Sequence, residues 1–269
     1  MNVISNMYHH ENVRPAVRKL RLLCFPYAGG SVALYHTWHH DLPAAVQVCP
    51  VEFPGRGSRI GEPPLKELGL LVKSLLDLVL PHLDGPFALF GHSMGALVSF
   101  ELARALKKIG RQPLHIFVSG RRAPQIPPTD RRTFDLPHHQ FVDSLRKLNG
   151  TPQEIFQHSE LMEIMIPILR ADFEACQTYA YIDGPPLNSP ITVLAGMQDE
   201  EAKTEYIEGW RRQTSGRFCS RVFRGDHFFL GSAKSLVLRA LSSDLNRIIS
   251  DEPVCSSNST DVALGINTV

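Results

Sequence analysis

Ser93, Asp199 and His227 are the residues of this 269-residue chain whose types, order and surroundings suit joint chemistry. Ser93 lies in Gly91-His92-Ser93-Met94-Gly95. An apolar strand-like run, Phe87-Ala-Leu-Phe90, enters this segment, and a helix-like run leaves it, with Val98, Leu102, Ala105 and Ile109 recurring at steps of four and three. A serine hydroxyl is a weak nucleophile until a neutral imidazole within hydrogen-bond reach takes its proton. Small residues on either side allow the sharp strand-to-helix turn that lifts such a hydroxyl clear of a sheet. Three fixed positions arise by accident in about one chain in ten of this length at ordinary glycine usage, so the flanking elements carry the reading.

An acid and then a histidine are needed further along. Asp199 follows the short apolar run Ile191-Thr-Val-Leu-Ala-Gly196 by three residues, in the loop where a strand's carboxyl end would open; Glu200 and Glu201 compete for the same role, and a solvated acidic loop is the plain alternative. His227 stands in Gly225-Asp-His-Phe-Phe229, after the strand-like Arg217–Phe223 and before the last helix-like run. Asp226 is read as loop structure, because adjacent side chains point apart and the acid must reach the imidazole from another loop. In such a set the aspartate fixes the tautomer and backbone amides bind the charge developing on the attacked carbonyl oxygen. Met94, just after the serine, supplies one amide. Ala28, in the early segment Phe25-Pro-Tyr-Ala-Gly-Gly-Ser31, supplies the second, although the segment also reads as an ordinary glycine turn. It is no phosphate cradle, since the Walker spacing, its Lys-Ser/Thr ending and a full Gly-x-Gly-x-x-Gly are all missing.

The elements that must position these groups alternate between strand and helix. Strand-like runs cover 20–25, 46–52, 87–90, 115–120, 191–196 and 217–223. Leu68, Leu71, Val72, Leu75, Leu76 and Val79 mark one amphipathic helix, and Val237, Ala240, Leu241, Leu245 and Ile248 another near the end. With the order Ser, Asp, His, this pattern predicts an α/β class chain of the α/β-hydrolase type: a mostly parallel central sheet flanked by helices. Between Ser119 and Ser189 the alternation breaks down. A helical lid insertion is expected over about 120–188, with helices over His138–Leu148 and from Glu160 to about Tyr181, and turns at Asn149-Gly150 and Gly184-Pro185-Pro186. One domain is expected over 1–250. The rest, 251–269, reads as a flexible tail from the polar run 256–260.

Four ordered segments, Phe25-Pro-Tyr-Ala-Gly-Gly-Ser31, Phe53-Pro-Gly-Arg-Gly57, Gly91-His-Ser-Met-Gly95 and Gly225-Asp-His-Phe-Phe229, resemble the type II thioesterases of polyketide and nonribosomal peptide synthase systems, over about residues 20–250. The lid segments Leu145-Arg-Lys-Leu-Asn-Gly-Thr-Pro152 and Leu169-Arg-Ala-Asp-Phe173 are similar to recurrent segments of that family. The resemblance implies hydrolysis of acyl groups from the phosphopantetheine thiol of an acyl or peptidyl carrier protein, in an editing role. It also implies catalytic roles for Ser93, Asp199 and His227, with Ala28 and Met94 giving the oxyanion amides, and lid helices that border an acyl chamber. Phe141, Leu161, Met165, Leu169 and Phe173 suit that chamber, or simply pack a helix onto its domain. Arg121, Arg122, Arg131, Arg132, Arg146 and Lys147 suit an acidic carrier, or are solvated lid charge.

Composition excludes other classes. Lys and Arg total 28 against 27 Asp and Glu, so no basic excess speaks for nucleic acid. The histidine pairs 9–10, 39–40 and 138–139 lack ligand spacing, and neither a metal nor a cofactor is expected. His92 reads as a packed or hydrogen-bonded structural residue. Five cysteines, odd in number and widely separated, read as reduced thiols. No apolar run suits a signal peptide or membrane span, so a cytoplasmic monomer is expected. A general carboxylesterase, an acyltransferase and a noncatalytic interaction module on the same scaffold remain open alternatives.

Overall fold

The computed structural model describes residues 19–128, 132–148, 150, 155–254 and 259–262. Among these, β1 (Leu20–Phe25), β2 (Val46–Pro50), β3 (Phe87–His92), β4 (Ile116–Ser119), β5 (Ile191–Gly196), β6 (Phe218–Phe223) and β7 (Ser259–Val262) form one sheet in the spatial order β2-β1-β3-β4-β5-β6-β7. Every pairing is parallel. Parallel strands need long crossovers, and the helices that provide them cover both faces.

The strands accordingly bury side chains in both directions at a period of two. Leu23 and Phe25 of β1, with Leu89 of β3, pack towards α1 (Leu68–Val79) and α2 (Met94–Lys108), in a core that includes Leu71, Leu75, Leu97 and Phe100. Leu22 and Cys24, with Ala88 and Phe90, pack the other way against Val237, Leu241 and Leu245 of α7 (Lys234–Ile249), which the short α5 (Thr204–Gly209) and α6 (Phe229–Ser232) precede. The α1 and α7 stripes face the core as their spacing predicts. In α2 the buried set is wider than the expected stripe and includes Ala96, Leu97, Phe100, Ala103 and Leu106, because this helix is enclosed on several sides; Ile109 lies past its last turn and is exposed.

The insertion carries α3 (His138–Leu148) and α4 (Ser159–Gln177), and no strand among its described residues. α4 ends four residues short of the expected Tyr181 and runs through Pro167. These helices have a core of their own: Phe141, Leu145, Met162, Ile166 and Leu169 are buried together, with Met165 and Phe173 against them. Leu161 is exposed. Phe141 and Leu169 therefore serve lid packing, the plainer of the two readings.

Two expectations meet a different arrangement. Within the stretch read as a tail, Ser259–Val262 lies beside β6 as β7. Cys219 on β6 is disulfide-bonded, whereas Cys24, Cys49 and Cys176 are free. A pairing needs Cα atoms brought within about 7 Å, which wide sequence spacing neither grants nor forbids.

Candidate active site

The carboxyl ends of β3, β5 and β6 converge on one edge of the sheet, where open α/β sheets build their sites. Ser93 joins β3 to α2 with φ 54° and ψ −113°, a conformation that L-residues avoid. Its neighbours explain how the chain tolerates the turn. A Cβ at Gly91 would collide with the Gly95 carbonyl, and one at Gly95 with the carbonyls of Phe25 and Pro26, so helix and strand approach only because both positions are glycine. The Ser93 N–H donates to the Ser119 carbonyl at 2.8 Å, tying the turn to β4.

The hydroxyl of Ser93 lies 2.9 Å from His227 Nε2, and His227 Nδ1 lies 3.0 Å from both carboxylate oxygens of Asp199. Serine, histidine and aspartate thus form one hydrogen-bonded chain, drawn from positions 134 and 28 residues apart. With Nδ1–H donating to Asp199, Nε2 is left as the acceptor for the serine proton. Asp199 is buried and also accepts the Glu201 N–H at 3.0 Å. Its loop is joined to the histidine loop: Gln198 N–H donates to the Gly225 carbonyl at 3.0 Å, and Gly225 N–H donates to Gln198 Oε1 at 2.8 Å.

The competing acids point elsewhere. Glu201 forms an ion pair with Arg122, and Glu200 lies 2.8 Å from Lys203 at the surface. Asp226 accepts the Phe228 N–H at 2.9 Å and stays within its own loop. His92 is buried with Nδ1 2.9 Å from the Ser119 hydroxyl, and its ring centroid is 5.2 Å from that of His227. Burial first, and the neighbouring His227 second, hold His92 well below the usual histidine range, so it stays neutral.

Ala28 lies in the loop after β1 and Met94 is the first residue of α2, whose amino end carries partial positive charge. Neither N–H donates to a protein acceptor among the described residues. The Gly95 contact with Phe25 and Pro26 brings the two segments together. Among the basic lid residues, Arg122 is buried in its pair with Glu201, Arg131 lies outside the described residues, and Arg132 and Lys147 are exposed. Gln198 and Ser119, which brace the loop of His227 and the turn at Ser93, carry no local signal that motif spacing detects. Among the described residues no three His, Cys, Asp or Glu side chains gather as a metal site, and no helix is long and apolar enough to cross a membrane.

The thioesterase-domain family model matches residues 20–245. The chain belongs to the thioesterase family. This thioesterase is 41% identical over 247 residues to the gramicidin S biosynthesis protein GrsT of Aneurinibacillus migulanus, covering 91% of this chain and 96% of that one. It is 43% identical over 234 residues to a Brevibacillus parabrevis protein named linear gramicidin dehydrogenase LgrE, covering 86% and 89%. Its fold matches the type II thioesterase BorB from the borrelidin biosynthetic cluster with a TM-score of 0.78 at 35% identity, over 86% of this chain and 95% of that one. The thioesterase is thus a thioester hydrolase with the α/β-hydrolase fold expected from its strand-helix alternation.

Proposed function

We propose that Ser93, His227 and Asp199 are the catalytic triad of a type II thioesterase that clears acyl groups from the phosphopantetheine arm of an acyl or peptidyl carrier protein, editing a cytoplasmic polyketide or nonribosomal peptide synthase. The observation that carries this reading is the hydrogen-bonded chain from Ser93 Oγ through His227 to Asp199 at a strained strand-to-helix turn. His227 Nε2 takes the serine proton as Oγ attacks the thioester carbonyl carbon. Charge on the carbonyl oxygen is bound by the Ala28 and Met94 amides. The C–S bond breaks, and the pantetheine sulfur leaves with the proton from the imidazolium. A water molecule, deprotonated by His227, then attacks the acyl-serine carbonyl; the C–O bond to Ser93 Oγ breaks, Oγ takes the proton back from the imidazolium, and the free acid leaves. No cofactor enters any step.

Support for the carrier comes from relatives named for gramicidin S biosynthesis and the borrelidin biosynthetic cluster, and from the exposed basic residues Arg132 and Lys147 on the lid. The test follows acyl release from a loaded carrier protein by mass spectrometry, beside a matched oxygen ester. Free acid should appear with strong preference for the carrier thioester, and Ser93→Ala should lower turnover by roughly a millionfold, the scale of concerted triads. Efficient oxygen-ester cleavage with the carrier left loaded would make the enzyme a general esterase instead.

A further inference from the structure

Two segments left without a role by the triad, Phe53-Pro-Gly-Arg-Gly57 and Leu169-Arg-Ala-Asp-Phe173, meet in the tertiary structure. The Arg56 guanidinium grips the Asp172 carboxylate with both forks, Nη1 to Oδ2 and Nη2 to Oδ1, each at 2.7 Å. Both side chains are buried, at 6% and 3% exposure. What they hold between them is the loop after β1. Asp172 Oδ2 accepts the Gly29 N–H at 2.8 Å, and Arg56 Nη1 donates to the Gly30 carbonyl at 3.1 Å. That loop is a tight turn closed by the Gly30 N–H on the Tyr27 carbonyl at 2.8 Å, with Gly29 at φ 75°. Ala28 occupies its first corner, and the left-handed second corner requires glycine.

The Ala28–Gly29 peptide at the centre of the turn is therefore held by an anion from one segment, and the Gly30 carbonyl that leaves the turn by a cation from another. Asp172 belongs to α4, the second lid helix, and Leu169 one turn earlier packs so closely on Gly29 that a Cβ there would collide with it. A bidentate ion pair in a dry setting has little geometric freedom, and neither partner can leave without stranding a buried charge. Lid helix and oxyanion loop thus share one joint.

We propose that Arg56 and Asp172 are positioning residues that aim the Ala28 N–H at the developing oxyanion, and that they do so only while α4 is seated on the turn. The proposal rests on the reading of Ala28 as an oxyanion donor and extends it to the lid: seating of the lid completes the catalytic hole as well as enclosing the substrate.

The test uses the full chain and a short acyl N-acetylcysteamine thioester, which needs no carrier docking. Asp172→Asn keeps the shape and an acceptor for Gly29 but removes the charge; Arg56→Lys keeps the charge but loses the fork. Turnover should fall roughly 100-fold in Asp172→Asn, on the scale of losing one oxyanion donor, and less in Arg56→Lys, with KM within about twofold as expected when only the transition state is affected. Affinity for an alkyl boronic acid, whose serine adduct places an oxygen in the hole, should weaken by a similar factor. Folded variants with turnover retained, or with the whole loss in KM, would overturn the proposal. So would failure of both variants to fold by circular dichroism, which would make the pair a stability element. Ser93→Ala run alongside separates the claims: loss there with retention in Asp172→Asn overturns the joint alone, whereas retention there overturns the site reading and the joint with it.

Discussion

Asp199 presents both carboxylate oxygens to His227 Nδ1 and is itself buried. An amide in its place can donate to Nδ1 and thereby hold the wrong tautomer, with Nε2 protonated and unable to accept from Ser93. Asp199→Asn should therefore lower turnover by roughly 10⁴-fold without unfolding the chain, measured as turnover on a small thioester beside a thermal melt. A second prediction concerns His115, which is buried with a ring nitrogen 2.8 Å from the Thr192 hydroxyl. Burial, with the charge of Arg221 adding to it, pushes His115 from 6.5 down to about 3. The unfolded chain binds this proton near pH 6.5 and the folded chain does not, so the stability is fully present above that pH and drains as pH falls towards 3. The slope is about 1.4 kcal/mol per pH unit for one such group. Urea unfolding between about pH 6 and pH 4 should show His115→Gln with a shallower acid-side slope; an unchanged slope would refute the assignment.

Strand β3, the turn at Ser93 and helix α2 act as one element, because their spacing is set by two missing side chains. Gly95→Ala places a methyl group on the Phe25 and Pro26 carbonyls, at the root of the loop that carries Ala28. Overpacking of this kind costs roughly 1–3 kcal/mol. For a chain of this size that corresponds to a Tm lower by roughly 3–10 °C. Activity should fall further than stability, by about 100-fold or more, because the helix end that carries the Met94 N–H is displaced from the loop that carries Ala28. A variant that melts earlier yet keeps full turnover would show that the two amides are positioned independently. The lid pair α3 and α4 makes the opposite kind of element. It has its own core around Phe141 and Leu169, and it meets the hydrolase body through the buried Arg56–Asp172 pair.

At the scale of the whole molecule, charge is close to balanced, with 28 basic and 27 acidic residues, so the carrier docking proposed above would rest on local placement. Arg132 and Lys147 lie exposed on the lid, and Arg146 sits beside Asp143 at 3.0 Å with its guanidinium over Phe156. Reversing all three to glutamate should raise KM for a carrier-bound thioester roughly tenfold, since exposed pairs contribute up to about 1 kcal/mol each. The small thioester should be turned over as before. Equal losses on both substrates would place these residues in lid integrity and remove them from docking.

Much of the architecture was legible because it is local. The strand runs at 20–25 and 191–196 and the amphipathic stripes of α1 and α7 are set by side-chain periodicity, and the tight turn at Ser93 by small residues that tolerate close approach. The order Ser93, Asp199, His227 was readable for the same reason: each lies in a loop just after a strand, and a parallel sheet puts such loops at one edge. What tertiary structure alone decided are facts of distance. Arg122 and Glu201 read as surface charge until folding paired and buried the arginine. Cys219 read as a thiol until folding supplied its bridge. Ile109 continued a stripe past the point where its helix stops. Arg56 and Asp172 stand 116 positions apart, and no periodicity links them; only the packing of α4 beside the β1 loop brings them together, because ion pairing acts through space and leaves no mark on spacing along the chain.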